Sequence, residues 1–167
     1  RIKTELTKLN IESEFINGLR VTDKQTMEVV EKALVDFNSE IVKKLEKKNC
    51  KSKGLNISTD TVIVVEQENK NLGFVGKPTK IYNEKINAVV NISVIPVLSP
   101  MGKDNNDQKY NINADTAAAA VAKSLKSRRL FLMTDVEGVY DENKKLINEI
   151  KPNDAKSLID KKIVQGG

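Results

Sequence analysis

At 167 residues the chain is long enough for one domain with a substantial core, and 4% aromatic content leaves Ile, Val, Leu and Ala to fill it. It has no histidine and one cysteine, Cys50, which excludes histidine-based triads, the common His-containing zinc sites, internal disulfides and iron–sulfur clusters. The net charge of +5 comes from lysines interspersed with acids, a pattern that suits a solvated surface or a small anionic ligand and argues against nucleic acid, and no apolar run reaches membrane-spanning length.

Thr22, followed three residues later by Gln25, has the form of a capping box and predicts a helix start. Met27, Val30, Leu34, Phe37, Ile41 and Leu45 then recur at spacings of three and four, one apolar stripe on a helix to about Lys48, with a kink expected at Asn38-Ser39. TVIVVE (61–66) and LGFVGKPTKIY (72–82) predict two strands of a small antiparallel element, with Gly73 and Gly76 marking a turn or bulge. A short helix is expected over 83–92, a dense buried strand over 94–100 (VIPVLSP), and a polar loop over 101–109.

YNINADTAAAA (110–120) opens a helix that should run to about Lys126. Asn113 and Asp115 are both ordinary helix caps, but with Asn111 they alternate, and in extended backbone all three cannot cap one helix. Asn111 is thereby left free to bind. Ala117 to Ala120 should let this helix lie close against a sheet. RLFLMTD (129–135) predicts a second buried strand, VEGVYDENKK a loop, and Pro152 the start of a last helix with Ala155, Leu158 and Ile159 facing inward. Strands alternating with helices predict an α/β fold with a mostly parallel sheet, with no repeat, low-complexity tract or linker.

In such sheets ligands bind beyond the carboxyl ends of the strands. That places SPMGKDNND, TDVEGVYD and the start of the alanine helix along one edge. Thr134-Asp135 would emerge there, and Gly138 would allow backbone close to a ligand; an Asp-headed turn explains the same residues without one. Arg20, the only arginine between Arg1 and Arg128, could fork onto a carboxylate or phosphate, or be a solvated surface residue. Neither GxxxxGK[ST] nor GxGxxG occurs.

GLRVTD (18–23), TMEVVEKAL (26–34), LGFVG (72–76), IPVLSPMG (95–102), YNINADTAAAAVAKSL (110–125) and LFLMTDVEGVYD (130–141) occur in order, and together they resemble the N-acetylglutamate kinases of the amino acid kinase family. The resemblance covers nearly the whole chain. It implies an α/β three-layer αβα sandwich around a mainly parallel central sheet. It also implies a single kinase domain over 1–167, with 1–105 mostly serving the amino-acid substrate and 106–167 mostly the nucleotide. The reaction implied is transfer of the ATP γ-phosphoryl group to the γ-carboxylate of N-acetyl-L-glutamate, in arginine biosynthesis, with Mg²⁺ accompanying ATP and no protein metal ligand assigned. Carried over by position, Arg20 holds the substrate α-carboxylate, Asn111 binds the acetylated amino acid, and Asp115 orients catalytic lysines. Asp135, Val136, Glu137, Gly138, Val139 and Tyr140 line the nucleotide, joined by Ile163, Val164 and Gln165, while LGFVG resembles a hairpin near the acetylglutamate lid.

The resemblance places the family's glycine-rich strand, with its phosphate-binding lysine, before Arg1, and the second catalytic lysine beyond Gly167. The expectation is an internal portion of a longer enzyme, inactive alone, since losing one such electrostatic group typically costs ~10²–10³ in rate. NISTDTVIVVEQEN (56–69) replaces a more glycine-rich family segment, and Gln108-Lys109 stands where a glycine is usual. The resemblance further implies a homo-oligomer (dimer or hexamer), a nitrogen-signalling regulator protein as partner in some members, and a cytoplasmic location, or a plastid in a photosynthetic eukaryote. Two other readings stay open: a non-catalytic binding or regulatory module of the same fold, and a sister kinase with another acceptor. Arg20 and Asn111 favour an acetylated amino acid over the latter.

Overall fold

A computed structural model describes residues 1–161 and 163. The chain divides into two compact units, Arg1–Leu130 and Phe131–Gly167.

In the first unit, α1 (Ile2–Lys8) leads into a hairpin of β1 (Phe15–Ile16) and β2 (Leu19–Arg20). Asn17 and Gly18 close it, both at positive φ (50° and 80°), which the type I′ geometry of a two-residue hairpin demands and Asn-Gly supplies. Helix α2 (Lys24–Glu46) runs unbroken through Asn38-Ser39. Its cap is Asp23 rather than Thr22: the Asp23 carboxylate accepts from the Thr26 amide at 2.7 Å. Thr22 is instead fully buried, its hydroxyl donating to the Arg20 carbonyl and its backbone bridged in parallel to Gly73. A Cβ at Gly73 would strike the Thr22 carbonyl, and φ there is +68°, so the position requires glycine twice over.

Strand β3 (Ser52–Leu55) pairs in parallel with β6 (Ile95–Leu98), and a four-stranded mixed sheet runs in the order β5 (Gly76–Ile81), β4 (Ile63–Gln67), β7 (Met101–Lys103), β8 (Lys109–Asn111). β4 and β5 are antiparallel as expected, but the bulge falls between Val64 and Val65, opposite Pro78, which has no N–H to give the ladder. The α/β class holds; the mainly parallel sheet does not appear as one layer, since the ladders are short and most are antiparallel. The predicted polar loop 101–109 is a hairpin, β7–β8, whose first strand, Met101-Gly102-Lys103, carries little strand propensity of its own. The predicted buried strand over 94–100 forms, but Ile95 is 45% exposed because β6 is an edge strand with one partner.

The core follows the period-two pattern of β4, with Ile63 and Val65 inside and Val64 and Glu66 outward. Val62, Ile86 and Val89 of α3 (Asn83–Val90), Tyr110, Ile112 and Ala117 complete it. Burying each large aliphatic side chain is worth about 1.5–3 kcal/mol. Helix α4 (Ala114–Ser124) lies beside β5 and turns Ala117 into the core, with Val121 and the C-cap Leu125 following at four-residue steps. Ala119 is exposed, so the alanine run seats only one face of the helix. An Asn83–Ser124 clasp of two hydrogen bonds joins the start of α3 to the end of α4.

The predicted strand over 129–135, which begins at the end of the first unit and continues into the second, is not a strand. Leu130 to Met133 pair with nothing among the described residues and lie exposed, Met133 by 94%. An apolar run becomes a strand only where a neighbour accepts its backbone hydrogen bonds, and sequence alone cannot supply the neighbour. Helix α5 (Pro152–Asp160) starts at its proline as expected, with Ala155 and Leu158 half-buried, but Ile159 is 60% exposed rather than inward-facing. Among the described residues no helix is long and apolar enough to cross a membrane.

Candidate functional site

The β1–β2 hairpin, α1, α2 and the start of α4 enclose a cavity of about 210 Å³ lined by Phe15, Gly18, Leu19, Arg20, Leu34, Val75, Pro100, Asn111, Ile112, Asn113 and Ala114, with Ile2 at its edge. It brings together Arg20 and Asn111, which lie far apart in the sequence. Arg20 is half-buried, and partial desolvation pulls its guanidinium down from its ordinary value. No carboxylate pairs with it among the described residues. It is held by Ser13, whose Oγ accepts from Nη1, and by the ring of Phe15, which lies 4.5 Å from Cζ. A cation partly removed from water without a counter-ion is costly unless an anion arrives to pair with it.

Asn111 is fixed by its backbone. It pairs with Met101 across the β7–β8 ladder, and its amide donates to the Phe74 carbonyl at 2.9 Å on the other side. Its side chain makes no hydrogen bond among the described residues, so its donors and acceptor stay available to the cavity. Asn113 is the true cap of α4, its Oδ1 accepting from the Thr116 amide at 3.0 Å. Asp115 sits exposed in the first turn of α4, next to the cavity-lining Ala114. Pro100 and Ala114 also line a neighbouring apolar cavity of about 200 Å³, together with Ile63, Leu98 and Ser99, and the Ser99 hydroxyl is buried without a partner among the described residues.

The second unit holds Asp135 to Tyr140 in a loop. Gly138 has φ +152°, Tyr140 bridges to Leu146, and the Tyr140 hydroxyl donates to Glu137 at 3.1 Å. Ile163 follows α5, its amide donating to the Leu158 carbonyl. Val164 and Gln165 lie outside the described residues. Sequence reading passed over Ser13, Phe15 and Leu19, although Asn17-Gly18 flanked by Ile16 and Leu19 is a hairpin signal that would have placed Phe15 opposite Arg20.

The amino acid kinase family model matches residues 1–167. The chain is 48% identical to an acetylglutamate kinase of Pelagibacter ubique, aligned over the whole chain but 58% of that protein, and 43% identical to one of Lawsonia intracellularis, spanning 60% of it. Among solved structures, a Streptococcus mutans protein superposes at a TM-score of 0.92 with 31% identity, covering 99% of this chain and 68% of that one. The N-acetylglutamate synthase of Neisseria gonorrhoeae, complexed with coenzyme A and N-acetyl-glutamate, reaches 0.81 at 17% identity over 95% of this chain and 37% of that one, a likeness of fold alone. With the family model matched from end to end and these relatives in agreement, the chain belongs to the amino acid kinase family.

Proposed function

We propose that this chain carries the acceptor site, and part of the nucleotide site, of a kinase that phosphorylates the γ-carboxylate of N-acetyl-L-glutamate with ATP in arginine biosynthesis. The observation that carries the reading is the half-buried Arg20 guanidinium, without a carboxylate partner, sharing a cavity with the unengaged Asn111 amide. Arg20 takes the acceptor α-carboxylate in a forked pair, and Asn111 hydrogen-bonds the acetylated amino acid. Asp115 orients lysines of the complete enzyme. Asp135, Val136, Glu137, Gly138, Val139, Tyr140, Ile163, Val164 and Gln165 line the nucleotide.

The chemistry suits a chain without histidine. A carboxylate oxygen attacks the γ-phosphorus, the new O–P bond forms as the bond to the β,γ-bridging oxygen breaks, and ADP leaves with the electron pair. The nucleophile is already ionised, so no general base is required, and catalysis reduces to positioning and charge neutralisation. Mg²⁺ bound to ATP would supply part of that neutralisation. The reading includes the complete αβα sandwich, the division of labour between 1–105 and 106–167, a homo-oligomer, a nitrogen-signalling regulator as partner, and a cytoplasmic or plastid setting.

Calorimetric titration of N-acetyl-L-glutamate into the folded chain tests it. Saturable binding that glutamate does not reproduce is expected, weakened about 10- to 100-fold by Arg20→Ala, the equivalent of one lost charge-assisted hydrogen-bonded pair. Equal binding of glutamate, or indifference to Arg20→Ala, would overturn it.

A further inference from the structure

We infer that Phe15 is a positioning residue for Arg20, its ring holding the guanidinium plane in the orientation that receives a carboxylate. The inference rests on the acceptor-site reading of the cavity. Phe15 and Arg20 are directly opposed in the β1–β2 register, and Cζ lies 4.5 Å from the ring centroid. Burial does not account for this aromatic, because Phe15 is 53% exposed. What its ring does have is one face against a cation.

A ring beneath Cζ is well suited to presetting an anion receptor, because it steadies the cation from the ring side while a carboxylate pairs with it through N–H groups. Ser13 Oγ occupies one of the five donors, and the others make no hydrogen bond among the described residues. The Asn17-Gly18 turn, with its two positive φ angles, fixes the hairpin register that sets Phe15 opposite Arg20. A free arginine would surrender rotamer entropy on binding; one already stacked has surrendered it on folding.

Two measurements test this. In side-chain spectra of ¹⁵N-arginine-labelled protein, the Arg20 Nε–H signal, identified by its loss in Arg20→Lys, should be displaced by the ring current of Phe15, and the displacement should vanish in Phe15→Leu. In titrations with N-acetyl-L-glutamate, Phe15→Leu, which keeps apolar bulk, should weaken binding roughly three- to tenfold. Phe15→Trp, which restores a π face, should recover affinity, and Phe15→Leu should have no further effect on top of Arg20→Ala. Unfolding midpoints of the Leu and Trp variants should match. An undisplaced Arg20 signal, wild-type affinity in Phe15→Leu, or equal losses in the Leu and Trp variants would each overturn the assignment while binding that depends on Arg20 keeps the acceptor site intact. No binding by the folded wild-type chain overturns the acceptor-site reading and this assignment with it.

Discussion

Asn38 sits in the middle of α2, 3% exposed, where a polar side chain must find partners. Its Nδ2 donates to the Val97 carbonyl of β6 at 2.8 Å, and its Oδ1 accepts from Asn56 Nδ2 at 3.3 Å. The helix is thus bolted to the β3–β6 ladder by one amide. Asn38→Asp keeps the shape and the acceptor but replaces the donor that faces Val97 with an oxygen. The introduced carboxyl can fold ionised, burying a charge against a carbonyl, or fold protonated and donate as the amide did. Protonating an ordinary aspartate at neutral pH costs about 1.4 kcal/mol for each pH unit above its ordinary pKa near 3.9, roughly 4 kcal/mol in all. That sum caps the penalty. The folded-state pKa of the new carboxyl lies above its unfolded value, so its contribution is fully present below the unfolded pKa and is lost as pH rises toward the folded one. Urea unfolding of wild type and variant, compared between about pH 4.5 and 6.5, should show the penalty growing by about 1.4 kcal/mol per unit until the folded pKa is passed. Asn38→Leu, which leaves Val97 and Asn56 both unpaired, should cost about 2–4 kcal/mol with no such slope. A penalty for Asn38→Asp that is flat with pH would refute the donor role of Asn38.

Asp23→Ala removes the α2 cap and should lower unfolding free energy by about 1 kcal/mol, with Asp23→Ser recovering most of it in chemical denaturation. Glu40, hydrogen-bonded by Arg1 and Lys44, has its carboxyl held down at about 2, so it stabilises the folded chain above the ordinary glutamate range and loses that contribution as pH falls through it toward about 2. Glu40→Gln should therefore flatten the acid limb of a stability–pH profile. Ser99→Ala deletes a buried hydroxyl without a partner among the described residues and should be neutral or stabilising by up to about 1 kcal/mol, read as a thermal midpoint that does not fall.

Asn38 also shows what sequence could not reveal. In a helix a mid-chain asparagine followed by serine reads as a kink, whereas the partner that gives Asn38 its role, Val97, arrives from a distant strand. Leu130 to Met133 fail in the opposite sense: the apolar run is plain, but a strand is a property of two segments, and no partner pairs with this one among the described residues. The long elements α2, α3, β4 and β5 were legible because each carries its own period and punctuation. The β1–β2 and β7–β8 hairpins, with strands of two and three residues, are too short to show one; the first is announced only by Asn17-Gly18. At the site, local sequence offered Arg20 as a surface or anion-binding residue and Asn111 as an asparagine with no helix to cap. That they share one cavity follows from how the hairpin and the start of α4 pack, which no local pattern encodes.

The alternation Asn111, Asn113, Asp115 gains its meaning from a change of backbone period. Residues two apart share a face only while the chain stays extended, and it does so as far as Asn113, whose ψ is 131°. Asn111 therefore lines the cavity with its backbone pinned on both sides, while Asn113 turns its oxygen back onto the Thr116 amide. Beyond it the helical period takes over, and Asp115 comes out on the wet face of the first turn, where the positive end of the α4 dipole favours a carboxylate.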